Sequence, residues 1–234
     1  MKARTNEEEQ YLIQRWDRMQ VDLSWYPTGT SDRVQQAFLR TPREHFIRKY
    51  NLARTYDSWY HVIEDGQTIS GPHIVIRMTQ TIEPSADMKV LEIGMGSGYQ
   101  SAFLSNLSNQ VYTIEIKANL YRVTDEIYKS LENEYPWYKN VHRKNDDGYY
   151  GWPEHAPFDR IIVTCAIDHI PPPLIDQLAP GGVMVIPVGP ISGQQTLLKV
   201  TKEVDEEGTV RILREDVYGG KQLVKFVPFT DKAG

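Results

Sequence analysis

The sequence predicts an α/β fold with a mostly parallel, twisted sheet, helices on both faces and an antiparallel C-terminal part. Three observations predict it. An apolar run at 90–93 leads into the glycine-rich stretch 94–98 and then into a helix start. Strand-like and helical patterns alternate through the middle of the chain. The last three strand-like runs follow one another without helices between them, which favours antiparallel pairing.

Two amphipathic helices are predicted at the N-terminus, where they would cover one edge of the sheet. Apolar residues recur at three- and four-residue spacings from Asn6 to about Leu23, as expected for one buried stripe. Ser31 is placed to cap a second helix, which ends before Thr41-Pro42 because a residue that precedes proline disfavours the α conformation. The aromatic and polar stretch 48–65 shows no period and predicts a long loop.

The elements after residue 65 follow from local signals. Pro72 suits the first turn of a helix that runs through Met78, and Leu120 to Leu131 form an amphipathic crossover helix. The segment Val111 to Glu115 is a second strand, about twenty residues after the first. Further strands are predicted at 140–142, 160–163, 183–186, 196–200, 210–213 and 223–227.

Length and composition limit the classes of function. A chain of 234 residues predicts one domain, 1–234. With 26 Lys and Arg against 31 Asp and Glu, the net charge of −5 provides no basic surface for a phosphate backbone, so we expect no nucleic-acid partner. The single Cys165, the absence of a signal-peptide pattern in residues 1–10 and the absence of an 18-residue apolar run favour a soluble cytoplasmic protein without a membrane partner.

The glycine-rich stretch predicts a small-ligand site. Its spacing is G-x-G-x-G, from Gly94 to Gly98, and not the G-x-G-x-x-G of a dinucleotide pyrophosphate loop. Glu115 ends the next strand, where an acid accepts hydrogen bonds from ribose hydroxyls. Together they indicate a nucleoside without a diphosphate, which describes S-adenosylmethionine (SAM), with no metal. An ordinary αβ loop with a few flexible glycines is the competing interpretation of the glycines alone.

Six motifs, in order, make the chain similar to the protein-L-isoaspartate O-methyltransferases, from Pro42-Arg43-Glu44 to Pro228. The resemblance implies a Rossmann-like SAM-dependent methyltransferase fold, with N-terminal helices and an acceptor-side loop at 1–65 and the SAM-binding core and C-terminal strands at 66–234. The motifs are Gly66-Gln67-Thr68-Ile69-Ser70, the segment 90–100, Gly151-Trp152-Pro153-Glu154 with 157–159, Ile175-Asp176-Gln177-Leu178 with 180–182, Ile186-Pro187-Val188-Gly189, and Phe226-Val227-Pro228.

The resemblance also implies an activity. Members of the family transfer a methyl group from SAM to the free α-carboxylate of an L-isoaspartyl residue in a protein or peptide, releasing S-adenosylhomocysteine. The ester then cyclises to a succinimide, whose hydrolysis partly restores aspartate. Ser70 matches the active-site serine of the family, although a helix cap is its competing interpretation. A neutral hydroxyl can orient a carboxylate without quenching it.

The other site residues are carried over by position. Gly94, Gly96 and Gly98 would approach the methionine part, Glu115 the ribose and Asp147 the adenine. Asp146 stands where the family has glycine, so the adenine contact departs from the pattern. Cofactor contacts are further implied at Thr68, Glu92, Ser97 and Gly148, and acceptor contacts at Ile69, His73, Trp59, Tyr60, Ala166, Ile167 and Val227.

Departures from the family cluster on the acceptor side. The stretch 56–60 lacks the usual proline, Ile63-Glu64 replaces an Ile-Gly pair, and 165–169 replaces a run of alanines that ends in proline. These replacements are bulky, so we expect weaker activity on generic isoaspartyl peptides and dependence on the residues that flank the acceptor. We interpret Asp168 and His169 as a polar loop pair and do not expect a general base there.

Four readings of function follow. The favoured one is a repair enzyme, acting as a monomer, whose acceptor loops have diverged by drift. The alternative is a peptide-tailoring relative that esterifies an ordinary aspartate of one dedicated peptide to form an aspartimide. A SAM-binding module without catalysis would retain the donor motifs, yet Ser70 and the C-terminal Phe226-Val227-Pro228 are intact. A small-molecule or nucleic-acid methyltransferase would not predict the match from Gly66 to Ser70.

Overall fold

The N-terminal helices lie where the sequence predicts them. The computed structural model describes residues 5–24, 29–47, 52–220 and 224–228. The Ser31 hydroxyl accepts a hydrogen bond from the Val34 amide and caps the second helix. The elements before the central sheet are α1 (Asn6–Leu23), α2 (Asp32–Arg40), α3 (Leu52–Thr55), β1 (His61–Val62), β2 (Thr68–Ile69) and α4 (Pro72–Ile82).

The predicted loop at 48–65 is wrong in part, because the segment contains ordered elements. It holds α3, β1 and a short 3₁₀ turn at 64–66, and β1 pairs antiparallel with β2. Residues 48–51 of this prediction lie outside the described residues. Elements of two to four residues are too short to show a hydrophobic period. Tyr56 is fully buried and packs edge-on against Phe38, with ring centroids 5.9 Å apart.

The central sheet has seven strands, in the order β5-β4-β3-β6-β7-β8-β9. Pairing is parallel from β5 to β7 and antiparallel from β7 to β9, which confirms the predicted fold class. The strands are β3 (Lys89–Ile93), β4 (Gln110–Glu115), β5 (Val141–Asn145), β6 (Phe158–Val163), β7 (Leu178–Val188), β8 (Thr196–Val204) and β9 (Val210–Asp216).

The strand predicted at 223–227 is wrong for the residues described there. Val224 and Pro228 form isolated bridges, the first with Gln195 and the second with Ala166. The segment passes from the start of β8 to the end of β6 and touches each of them at one point, so it forms no ladder. Residue 223 lies outside the described ranges. This crossing brings Val227 to the edge of the sheet where β6 ends.

The remaining helices complete layers on both faces of the sheet. Consecutive strand residues point to opposite sides, so Val90 and Val111 join one apolar cluster while Leu91 and Tyr112 join the other. The first cluster contains residues of α1, α2 and α4. The helices that follow β3 are α5 (Tyr99–Leu104), α6 (Ala118–Leu131) and α7 (Pro172–Gln177).

The topology places a crevice beyond the carboxyl end of β3. The chain proceeds from β3 to β4 and β5 on one side, and to β6 and β7 on the other, which makes β3 the point where the strand order reverses. None of the helices in the described ranges is long and apolar enough to cross a membrane. The division into segments 1–65 and 66–234 of one domain stays a prediction.

Candidate active site

The turn after β3 forms the floor of the crevice. The amides of Gly94 and Met95 both donate to the Ile114 carbonyl of β4, at 2.9 and 3.0 Å. Gly94 has φ of +91°, and a Cβ there would lie 2.6 Å from the Thr164 hydroxyl oxygen. Only glycine satisfies both constraints, so the backbone itself lines the crevice and a ligand can approach it closely.

Glu115 stands at the end of β4 beside this turn. Its Oε2 accepts a hydrogen bond from the Gly96 amide at 2.8 Å, and its Oε1 accepts one from the Lys117 amide at 3.0 Å. Burial raises the pKa of Glu115 from its usual value. Each carboxylate oxygen has two acceptor positions and uses one of them here. The remaining positions can accept two hydroxyl groups of a ligand, as the ribose assignment requires.

Glu92, on β3, carries an unused acceptor into the same region. Its Oε2 accepts hydrogen bonds from the hydroxyls of Ser101 and Thr113, the latter at 2.6 Å. Its Oε1 is buried without a hydrogen-bond partner. Burial raises the pKa of Glu92 to about 8. A bound cation beside this oxygen would favour the ionised carboxylate, and the ammonium group of SAM is such a cation.

Two adjoining cavities make up the crevice. They share Thr68, Gly94, Gly96 and Thr164, so the two cavities lie side by side and together form the cleft. The first cavity is also lined by Glu115, Lys117, Leu120, Gly148, Cys165 and Val227. The second is also lined by Ile69, Ser70, Glu92, Ser97, Gln100 and apolar side chains of α4. Glu115, the predicted ribose ligand, therefore lies in one part of the cleft, and Ser70, the predicted acceptor-site serine, lies in the other.

Most predicted cofactor residues meet in this cleft, and two of them do not line it. Asp147 precedes Gly148, and its Oδ1 caps a short turn by accepting from the Tyr149 amide at 2.9 Å. Gly98 faces α6, and a Cβ there would lie 2.7 Å from the Tyr128 ring. Gly98 thus packs closely against α6, and its contact with the methionine part stays a prediction.

On the acceptor side, the structure brings Ile69, Ser70 and Val227 to the cleft, whereas Ala166 and Ile167 do not line it, so their contacts with an acceptor stay predictions. Both of these side chains are buried in the apolar clusters. The Ala166 amide donates to the Val227 carbonyl at 2.7 Å, and Ile167 bridges to Val188. The reason is that backbone pairing turns both side chains into the core.

The other three predicted acceptor residues lie outside the cavity lining. Trp59 and Tyr60 are 73% and 63% exposed. They lie next to Ser58, whose carbonyl oxygen would be 2.5 Å from a Cβ on Gly71, directly after Ser70. His73 is half-buried in the first turn of α4. Their contacts with an acceptor stay predictions.

Several lining residues were not among the predicted contacts, and Thr164 and Cys165 are the most informative of them. The Thr164 hydroxyl lies 2.9 Å from the Ile93 carbonyl and 2.7 Å from that of Gly94. Burial raises the pKa of Cys165 well above its usual value, so this thiol stays neutral and does not act as a nucleophile. Both residues follow β6, the neighbour of β3, and the rule that ligands bind at the carboxyl edge could have indicated them.

Asp168 and His169 form a polar chain outside the cleft. Asp168 Oδ1 lies 2.5 Å from His169 Nδ1, and His169 Nε2 lies 3.0 Å from the Tyr149 hydroxyl. Both loop residues are exposed, and neither lines the two cavities. In the described ranges, no group of three or more His, Cys, Asp or Glu side chains could hold a metal ion.

Comparison with known proteins agrees with this geometry. Residues 18–234 match the family described as Protein-L-isoaspartate(D-aspartate) O-methyltransferase (PCMT). The chain belongs to this family. The chain is 44% identical over 206 residues to Protein-L-isoaspartate O-methyltransferase 2 of Syntrophobacter fumaroxidans. The aligned region covers 87% of the chain and 77% of the relative. It is 47% identical over 179 residues to Protein-L-isoaspartate O-methyltransferase of Desulfotalea psychrophila, covering 76% of the chain and 81% of the relative.

Solved structures give the same family and fold. A protein-L-isoaspartate O-methyltransferase superposes with a TM-score of 0.74 at 26% identity over 92% of this chain, and the chain spans 65% of that protein's length. A Plasmodium falciparum structure, titled as a putative protein-L-isoaspartate O-methyltransferase in complex with S-adenosyl-L-homocysteine, has a TM-score of 0.69 at 22% identity. The superposition covers 95% of this chain and 98% of the Plasmodium falciparum chain. The second likeness supports the Rossmann-like fold alone.

Proposed function

We propose that this protein-L-isoaspartate O-methyltransferase family member transfers the methyl group of SAM to the free α-carboxylate of an L-isoaspartyl residue in a protein or peptide. The observation that carries the proposal is that the cavity lined by Glu115 and the cavity lined by Ser70 adjoin and share the glycine turn and Thr68. The family match and the names of the relatives support the same acceptor.

The donor half of the cleft presents groups that match the ribose and the ammonium group of SAM. Glu115 would accept from the ribose hydroxyls, and Glu92 Oε1 would accept from the ammonium group. Thr68, Ser97 and the backbone of Gly94, Gly96 and Gly148 would line the rest of the molecule, with Asp147 beside the adenine. When bound, SAM supplies a methyl group on a positively charged sulfur, which is the electrophile of the reaction.

The acceptor half has to orient a carboxylate and exclude water. A carboxylate of pKa about 4 is already ionised at neutral pH, so no general base is needed. The Ser70 hydroxyl would donate to one carboxylate oxygen and leave the other free to attack. Apolar side chains around Ser70 limit the access of water, and they are Ile69, Ile74, Val75, Met78 and Phe226. The rate enhancement then comes mostly from alignment.

Matched peptides test the acceptor. The protein is incubated with SAM and with two peptides that differ only in carrying isoaspartate or aspartate, and the products are weighed by mass spectrometry. We expect a gain of one methyl group on the isoaspartyl peptide, followed by loss of methanol as the succinimide forms. Methylation of an ordinary aspartate in one sequence alone would support the tailoring alternative, and no methylation of either peptide would contradict the proposal.

Ser70 has a sharper test in the variant Ser70→Ala. Loss of one hydrogen bond to a charged group costs about 1.5–3 kcal/mol, which predicts a fall in kcat of about tenfold or more. The calorimetric Kd for S-adenosylhomocysteine should change little. Ser130→Ala, an exposed serine on α6, is the matched control. A loss of donor affinity in proportion to rate would make Ser70 a structural cap instead.

We also propose that the protein acts as a cytoplasmic monomer and without a nucleic-acid or membrane partner. The net charge of −5 and the single Cys165 support this proposal. Light scattering after gel filtration would give the mass in solution, for which we expect the 27.0 kDa of one chain. A dimer mass would contradict the monomer.

A further inference from the structure

Arg43 is a buried arginine at the base of the acceptor side. It starts the 3₁₀ turn Arg43–His45 after α2, and none of its surface is exposed. Its Nε donates to the Thr55 carbonyl at 2.8 Å, and its Nη2 donates to the Ser70 carbonyl at 2.7 Å. The guanidinium carbon lies 4.8 Å from the centre of the Tyr99 ring.

This buried cation lacks the usual compensation. Among the residues that the structure describes, no carboxylate forms an ion pair with Arg43, and its Nη1 is buried without a hydrogen-bond partner. Burial lowers the pKa of Arg43 to about 10, so the side chain remains charged at neutral pH. Burying an unpaired charge is costly, and a hydrocarbon side chain would fill the space without that cost. The two carbonyl contacts therefore need a functional explanation.

The two carbonyls are the ends of one segment. Residues 55–70, which we name the acceptor segment, contain Trp59, Tyr60, the β1–β2 hairpin and the lining residues Thr68 and Ile69. One guanidinium thus bridges the first and last residues of the acceptor segment. The planar fork of arginine donates to the two carbonyls from two separate nitrogens, Nε and Nη2, whereas lysine has one nitrogen at the end of a flexible chain.

A second connection strengthens the first end of the acceptor segment. The Arg43 amide donates to the Tyr56 hydroxyl at 3.0 Å, and that hydroxyl donates to Glu44 Oε2 at 2.5 Å. At the second end, the guanidinium contacts Ser70 through its carbonyl, so this contact leaves the Ser70 hydroxyl available to an acceptor. The contacts fix the backbone without occupying the group that the proposed reaction uses.

We propose that Arg43 is a positioning residue of the methyl transfer, which closes the base of the acceptor segment and so holds Ser70 against the cleft. This proposal rests on the proposed function, since it assigns Ser70 to the acceptor. Arg43 acts through backbone carbonyls and touches neither the donor nor the acceptor. Its replacement should disturb acceptor binding and alignment while the glycine turn and Glu115 remain in place.

The variant Arg43→Lys tests this, because it keeps the charge and removes the bridge. With SAM at saturation, we expect kcat/KM for an isoaspartyl peptide to fall by about tenfold or more, with a raised acceptor KM and a lowered kcat. The Kd for S-adenosylhomocysteine should change by less than about twofold. Arg77→Lys is the matched control, because Arg77 is 2% exposed and donates to the Leu23 carbonyl of α1, away from the acceptor segment.

Hydrogen exchange provides a readout that does not depend on activity. Amides of the β1–β2 hairpin, such as the Ile63 amide that donates to the Gln67 carbonyl, should exchange faster in Arg43→Lys, while β3 and β4 stay as in the wild type. Should Arg43→Lys fail to fold, Tyr56→Phe removes the second connection and keeps the guanidinium. The same local increase in exchange is expected there, and unchanged exchange would overturn the proposal.

Two kinetic results would also overturn the positioning role. One is wild-type acceptor kinetics in Arg43→Lys. The other is a fall in kcat/KM that is accompanied by an equally large loss of donor affinity and by faster hydrogen exchange in β3. Such a combination would show a general loss of structure. A wild-type protein that methylates no isoaspartyl peptide would instead contradict the proposed function, and the exchange experiment would still decide whether Arg43 closes the acceptor segment.

Discussion

Replacement of Glu115 by alanine gives the most direct measure of the donor site. Each Glu115 oxygen already accepts one backbone amide, from Gly96 or Lys117, and keeps one position for a ribose hydroxyl. Hydrogen bonds to charged groups contribute about 1.5–3 kcal/mol, so the loss should weaken S-adenosylhomocysteine binding by about 10- to 150-fold. Isothermal calorimetry measures this change directly. Glu126→Ala removes an exposed carboxylate from α6 and controls for net charge.

A second ligand separates the ribose contact from damage to the turn. An S-adenosylhomocysteine analogue without ribose hydroxyls should bind the wild type less tightly than the parent ligand. In Glu115→Ala the two ligands should bind almost equally, because the protein group that distinguishes them is gone. If the variant still discriminates between them as the wild type does, the ribose assignment of Glu115 is refuted. Unchanged affinity of the variant for the parent ligand would refute it as well.

Three further predictions concern stability and specificity. Because the folded pKa of Glu92, about 8, lies above its ordinary 4.5, the resulting stabilisation is complete below pH 4.5 and lost as the pH rises through 8. Urea unfolding should show a loss on the order of 5 kcal/mol by pH 9 in the wild type but not in Glu92→Gln. In Gly98→Ala the new Cβ would meet the Tyr128 ring, whereas Gly181 has a positive φ but open space around it. Gly98→Ala should therefore lower the free energy of unfolding by about 1–3 kcal/mol more than Gly181→Ala does. Equal losses in the two variants would contradict this prediction. Isoaspartyl peptides varied at their flanks should differ in kcat/KM, and Trp59→Ala should narrow the spread; a uniform wild-type response would count against a narrowed acceptor groove.

The donor site was predictable because its signals are local. The strand at 89–93, the glycines after it and Glu115 at the end of the next strand can be recognised in 27 consecutive residues. Thr164 was not predictable in this way, since it reaches the Gly94 carbonyl across 70 residues of sequence. Its contribution depends on β6 pairing with β3, which no local pattern specifies.

The acceptor side was less predictable because tertiary packing decides it. The alternation of residues around Ile167 does not show that its backbone pairs with Val188 and turns the side chain into the core. Tyr56 looked like part of an irregular aromatic loop, yet it is fully buried and bonded to the Arg43 amide. The sequence distances of these contacts exceed the reach of periodicity.

The hydrogen bonds of the glycine turn have an evolutionary consequence. The Gly94 and Met95 amides donate to the Ile114 carbonyl of β4, and the Thr164 hydroxyl donates to the Gly94 carbonyl from the end of β6, so the central sheet holds the glycine turn. The acceptor segment lies beside the glycine turn, and it contains the β1–β2 hairpin and the exposed residues Trp59 and Tyr60. Substitutions at these two exposed residues can change which peptide is recognised while the methyl donor is bound as before. In this fold, the acceptor specificity can therefore change during evolution while the binding of the methyl donor is retained.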